Sequence, residues 1–247
     1  VPSEVIDVDH ATFHNLNVYR NLEEKIEDLT PEIKSRLVHF LIHKEKIAPE
    51  TLFSKEEFLE IQKIIKQLKT NPQFPISTHI LNPKDEILQL LLSVGLDNRP
   101  ENKVKVIYYP IYLHKSDGFL NLDYTEAVIG CHVGVFPSFY EPWGYTPLES
   151  AISGVITITT DLTGFSDYLQ TIAHFDKENP GIYIIKRKNK RDAEVVEELS
   201  AVLLKIAKLS KAERVQNKLE ARRLASLCSW DNLISNYSDL YSAALQR

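Results

Sequence analysis

Downstream of Pro75, short runs of β-branched and aromatic residues alternate with stretches of helical spacing, and this alternation admits few folds. Strands are expected at Phe74–Thr78, Val104–Tyr109, His132–Phe136, Val155–Thr159 and Ile182–Ile185. Between them helices are expected at Pro83–Val94 (capped by Asn82), Tyr124–Ile129, Pro147–Ser153 and Phe165–Thr171. Parallel neighbours need a crossover of a dozen or so residues, and a helix supplies it. The expected class is therefore α/β, a parallel sheet with helices on both faces. Three long helices follow, Asp192–Leu209, Lys211–Leu227 and Trp230–Ala244. Ligands of such sheets bind outside the carboxyl ends of the strands. That rule puts Tyr109–Tyr112, Pro137–Thr146 and Thr160–Gly164 on one rim.

Ahead of the alternation the pattern is different. Residues 1–15 mix apolar and polar side chains, and the opening VPSEVID reads as the end of a strand with its loop. From Leu16 to Lys44 apolar and charged residues recur at helical spacing, with Thr30-Pro31 marking a fresh helix start. Ser54-Lys55-Glu56-Glu57 forms a capping box that opens a helix over Lys55–Leu68. Residues 16–70 thus form a helical, coiled-coil-like insertion, either an antiparallel pair packed on the domain or a protruding arm. Residues 71–190 would be the Rossmann-like domain, and 191–247 its closing helices.

Charge and composition exclude several partners. Net charge is −5 and no tract is strongly basic, so nucleic acid is not an expected ligand. No apolar run approaches the length of a membrane-spanning helix and no signal peptide is visible, so no membrane contact is expected. Cys131 and Cys228 lie far apart in apolar contexts, as reduced core thiols of a cytoplasmic protein would. No metal-binding cluster stands out, and neither a metal nor a cofactor is expected. His79 and His132 read as structural.

The chemistry concentrates in VGVFPSFYEPWGYTPLE, Val133–Glu149. A strand leads into a turn, and a helix opens at Pro147. Glu141 and Glu149 flank the turn. Gly144, Tyr145 and Thr146 between them should present free N–H groups at the positive end of the helix dipole, where phosphate binds. Thr146-Pro147-Leu148-Glu149 also fits a capping box with Pro at the first helical position, which would give Glu149 a purely local role. Glu141 sits among Phe139, Tyr140 and Trp143, a costly place for a carboxylate unless it is solvated, paired or functional.

FPSFYEPWGYTPLES resembles the signature of glycogen synthases of the animal and fungal type. The likeness continues in order through FPISTHILNPKDEILQLLLSVGL, VKVIYYP, DYTEAVIGCHVGVFPSFYEPWGYTP, ITTDLTGFSDYL and GIYIIKR, so that about Phe53 to the C-terminus can be laid on the family. The resemblance implies the donor-binding Rossmann domain of a GT-B fold and retaining transfer of glucose from UDP-glucose to an α-1,4-glucan such as glycogen. It assigns Glu141 to the sugar as the catalytic carboxylate. Tyr145, Thr146 and Gly144 would take the diphosphate, Glu149 the ribose hydroxyls, and Tyr124 the base by stacking. Tyr124 is also compatible with an ordinary buried tyrosine at a helix start. The helical arm would make a homo-oligomer.

The family's Gly-Arg…Lys-Gly motif, which neutralises the donor diphosphate, does not occur in this chain. The resemblance therefore implies a C-terminal part of a longer polypeptide, inactive alone. Lys211, Arg214, Lys218 and Arg222 share a helix face. The family has an arginine-rich helix here that binds glucose 6-phosphate. Lys211, Arg214, Lys218 and Arg223 keep positive charge at its positions, whereas Ala212 and Glu220 do not. A solvated basic face fits the same pattern. Two alternatives to the synthase reading stand: another retaining GT-B enzyme or epimerase using a different sugar nucleotide such as ADP-glucose, and a non-catalytic nucleotide-binding or assembly module.

Overall fold

The computed structural model describes residues 3–44, 46–68 and 74–246. Val1 and Pro2 of the expected opening strand, and residues 69 and 70 of the expected insertion, lie outside the described residues. The chain divides into two compact units, residues 1–112 and 113–247.

The first unit opens with strand β1 (Val5–Val8), followed by helix α1 (His10–His43), a single turn α2 (Pro49–Leu52) and helix α3 (Lys55–Ile65). Asp9 caps α1 by accepting from the Thr12 amide, and Lys44 ends it in the left-handed region at φ 56°. The expected restart at Thr30-Pro31 does not occur, because α1 runs through Pro31 unbroken. Proline costs a helix one backbone hydrogen bond. Here it sits on an exposed face, and the Thr30 hydroxyl bonds back to the Ile26 carbonyl at 2.8 Å. Ties to the second helical segment lie on both sides of it. Lys25 pairs with Glu60 at 2.6 Å, and Arg36 with Glu57 at 2.7 Å and the Leu52 carbonyl at 2.7 Å. Partner numbers fall as α1 numbers rise, so α1 and α3 are an antiparallel pair. The Ser54 capping box forms as expected: the hydroxyl accepts from the Glu57 amide, and the Glu57 carboxylate from the Ser54 amide.

Strand β2 (His79–Leu81) pairs antiparallel with β1, and helix α4 (Glu86–Ser93) follows. Two expectations change here. Phe74–Thr78 and Val104–Tyr109 are not strands but meet at one parallel bridge, Ser77 to Tyr108. A parallel pair needs both faces covered, and Val104 and Ile107 are 62% and 79% exposed. The sheet of this unit is thus two-stranded and antiparallel, not a continuation of a parallel sheet. Helix α4 starts after Asp85 and not after Asn82, because Asn82 closes a turn on the Lys84 amide while Asp85 caps Leu88.

The second unit carries the expected parallel architecture. Strands β3 (Val133–Val135), β4 (Ile156–Thr160) and β5 (Ile182–Ile185) form a parallel sheet in that order. Helix α5 (Tyr124–Ile129) precedes β3, α6 (Tyr145–Ile152) joins β3 to β4, and α7 (Gly164–Ile172) joins β4 to β5. Helices α8 (Asp192–Ala207), α9 (Lys211–Ser226) and α10 (Trp230–Leu245) complete it. Strand alternation splits the core in two. Ile182 packs with Ala151 of α6, Phe165 and Leu169 of α7, and Ala221, Leu224 and Ala225 of α9. Ile156, Ile158, Tyr183 and Ile185 face Val195 and Ile206 of α8 on the other side. Thr157, buried between strands, donates its hydroxyl to Ser150 of α6 at 3.0 Å. Among the described residues, no helix is long and apolar enough to cross a membrane.

Candidate functional site

The carboxyl ends of β3 and β4 lead into two loops that the backbone ties together. The Phe136 amide donates to the Ile158 carbonyl at 2.8 Å, prolonging β3 along β4. Further on, the Glu141 amide donates to Leu162 at 3.1 Å, and the Gly164 amide returns to Glu141 at 3.1 Å. The Phe165 amide then reaches the Trp143 carbonyl at 2.7 Å. The approach is close enough to demand glycine: a Cβ on Gly164 would lie 2.1 Å from the Pro142 carbonyl oxygen. The Trp143 ring anchors the loop in the core against Phe165 and Tyr168, with centroids 6.3 and 5.7 Å away. Two of the three expected rim segments, Pro137–Thr146 and Thr160–Gly164, therefore meet. Tyr109–Tyr112 belongs to the first unit.

Glu141 is half-buried, and its carboxylate accepts from the Ser138 hydroxyl at 3.0 Å. Of the three aromatics expected around it, Phe139 and Tyr140 are 71% and 76% exposed, and Trp143 packs on the core. A Cβ on Gly144 would sit 3.4 Å from Glu141 Oε2, so this carboxylate lies beside the residue that starts α6.

The start of α6 differs from the expected capping box. Gly144 is the N-cap, at φ 111° and ψ 70°, with no side-chain cap bond. Only glycine adopts that conformation at little cost. It brings the chain into the helix two residues before Pro147, leaving Thr146 inside the first turn and Glu149 unable to close a box. Among the described residues nothing accepts from the Tyr145 or Thr146 N–H groups, and Pro147 has none to offer. The result is an open donor pair at the positive end of a helix. Tyr145, Thr146 and Glu149 are all exposed.

Tyr124 opens α5 behind Asp123, whose carboxylate and Glu126 form a reciprocal cap. Tyr124 is 39% exposed, so it is not an ordinary buried tyrosine, and its hydroxyl is pushed to higher pKa by partial burial first and by the negative charge of Glu149 second.

Residues given no individual role by sequence reasoning complete the rim, Thr160 and Asp161 within an expected rim segment and Arg187 outside all three. The buried Thr160 hydroxyl donates to the Ser138 carbonyl at 2.8 Å. Arg187, just past β5, donates to the Pro137 carbonyl at 3.1 Å and lies 3.4 Å from the Phe139 ring centroid. Asp161 accepts from the Arg187 and Lys188 amides at 2.7 and 3.1 Å. Thr160, Asp161 and Arg187 lie in the family-like segments ITTDLTGFSDYL and GIYIIKR, but nothing local in those segments gives them a role. Ser138 carries one weak signal, its place three residues before Glu141.

The basic residues of α9 are unequal. Arg214 donates to the Leu209 carbonyl at 2.7 Å. Arg223 grips Glu220 through two bonds of 2.6 and 2.8 Å and adds the His174 carbonyl at 3.1 Å. Lys211 and Arg222 are exposed, and Lys218 is half-buried.

The glycogen synthase family model matches residues 1–247. A glycogen [starch] synthase of Caenorhabditis elegans is 34% identical over 231 residues, 93% of this chain and 34% of that protein. One from Dictyostelium discoideum is 38% identical over 205 residues, 81% of this chain and 23% of that protein. The liver glycogen [starch] synthase of Rattus norvegicus is 29% identical over 249 residues, 100% of this chain and 35% of that protein. The chain thus spans roughly a quarter to a third of the curated relatives it matches. With the family model matching residues 1–247 and the signature folded into one rim of a parallel sheet, the chain belongs to the glycogen synthase family.

Proposed function

We propose that this chain supplies the donor side of a glycogen synthase, a glycosyltransferase that moves glucose from UDP-glucose, with retention, to the 4-OH end of an α-1,4-glucan. The observation that carries the reading is a rim-facing pair: the Glu141 carboxylate beside Gly144, and the unaccepted Tyr145 and Thr146 N–H groups that follow it. Breaking a sugar–diphosphate bond builds positive charge on the sugar and negative charge on the leaving group. Helix N–H groups are suited to the second and a fixed carboxylate to the first. On this reading the diphosphate lies on Tyr145 and Thr146. Glu149 accepts the ribose hydroxyls, free to do so because it closes no cap. Tyr124 stacks on the base, and Glu141 faces the glucose ring.

The same reading assigns residues 71–190 to the nucleotide-sugar-binding domain of a GT-B enzyme, with 16–70 as an arm that joins subunits of a cytoplasmic oligomer. A phosphate activator on α9 would draw mainly on Lys211 and Lys218. Arg214 is engaged by a carbonyl, and Arg223 is already neutralised by Glu220.

Titration calorimetry of the chain with UDP and ADP tests the site. UDP should bind weakly, with Kd of order 1 mM, because the charge-assisted Arg and Lys contacts of the family motif are missing from this sequence. Glu149→Ala should abolish the heat. Tight binding of ADP with no response to UDP would replace this reading with a different sugar nucleotide.

A further inference from the structure

We propose that Ser138 is a positioning residue for glucosyl transfer: its hydroxyl holds the Glu141 carboxylate in the one orientation that faces the sugar. The inference rests on the role given to Glu141 above. The main chain at Glu141 is fixed at both polar groups, the amide to Leu162 and the carbonyl to Gly164. What remains free is the side chain, with several staggered rotamers to choose from. The Ser138 hydroxyl selects among them by donating to Glu141 Oε2 at 3.0 Å.

The serine is itself held. Its carbonyl accepts from Thr160, a residue 1% exposed, and its amide donates to Phe136 at 2.9 Å. Arg187 pins the residues on either side through the Pro137 carbonyl and the Phe139 ring. The same oxygen, Glu141 Oε2, lies beside Gly144, 3.4 Å from where a Cβ would stand. Loop hydroxyls mostly bond nearby backbone, whereas this one is spent on a carboxylate across a supported loop. A preorganised charge loses much of its effect when its support is removed.

The test is steady-state kinetics of S138A, S138T, E141Q and S138A/E141Q in the full-length enzyme. S138A should lower kcat about 10-fold to 100-fold while KM for UDP-glucose stays within about twofold. S138T keeps the hydroxyl and should recover most of the loss. In the E141Q background, S138A should cost less than about twofold, because a residue that acts through Glu141 has nothing left to position. Three results would each overturn the proposal: kcat of S138A within about twofold of wild type, S138T no better than S138A, or an undiminished S138A loss in E141Q. Near-normal turnover of E141Q would instead remove the role of Glu141 itself. A crippled E141Q beside an unaffected S138A removes only that of Ser138.

Discussion

Gly144→Ala perturbs the junction between the Glu141 loop and α6 at a single atom. At φ 111° and ψ 70° an alanine sits where L-residues are strained, at a cost of about 1–3 kcal/mol. The added Cβ would lie 3.2 Å from Cγ of Pro147, 3.4 Å from Glu141 Oε2 and 3.5 Å from the Thr163 Cβ. The tight contact is with the proline, which is buried and cannot swing aside, so the backbone must give. Strain and crowding together should destabilise the second unit by about 2–3 kcal/mol. Gly154→Ala is the internal control. Its φ is 76° and nothing lies within 4 Å of its Cβ, so it incurs only the left-handed backbone cost, about 1 kcal/mol. Urea unfolding followed by Trp143 fluorescence, with Trp230 changed to Phe, reports on this unit, because Trp143 packs on Phe165 and Tyr168 in its core. With two compact units in the chain, one transition should not be fitted to both. A Gly144→Ala protein that loses no more stability than Gly154→Ala would refute the crowding argument.

Two further outcomes follow from other parts of the chain. Hydrogen bonds from Arg36 first, and from the Ser54 backbone second, lower the Glu57 carboxyl from 4.5 to about 2. Its contribution to the α1–α3 pair is therefore complete above about pH 4.5 and lost as pH falls through about 2. The urea midpoint of helical ellipticity should drop across that window, and Glu57→Gln should flatten the drop. Burial raises the Cys228 thiol to about 11, while Cys131 is exposed. Iodoacetamide at pH 8 should therefore label Cys131 in the native chain and reach Cys228 only after unfolding, as peptide mass analysis would show.

The sequence was most readable where a local signal and tertiary cover agreed. Helix α5 lies between the Asp123 cap and Gly130, and β5 between Gly181 and a charged run, and both take the expected bounds. Reading was poorest where cover or backbone conformation decided. Val104–Tyr109 has the composition of a strand, but with Val104 and Ile107 exposed it pairs at one bridge. Pro31 signals a break, yet α3 holds α1 by ion pairs on both sides of it. Thr146-Pro147-Leu148-Glu149 spells a cap, but Gly144 starts the helix two residues earlier by a conformation no motif reports. The site followed the same division. Glu141 and the helix start are contiguous in sequence and could be singled out. Thr160 is expected on the same rim by the strand-end rule, whereas Arg187 joins them only through the order β3-β4-β5, which places three separate strand ends together.

Whether Glu141 carries the chemistry is settled by Glu141→Gln in the full-length enzyme, measured as turnover and as UDP affinity side by side. On the proposed reading the carboxylate acts on charge that exists only in the transition state. Turnover should therefore fall about 100-fold or more while UDP binds within about twofold of wild type. Near-normal turnover with intact UDP binding would show that the Ser138–Glu141 pair is a loop support and that the reacting carboxylate lies elsewhere.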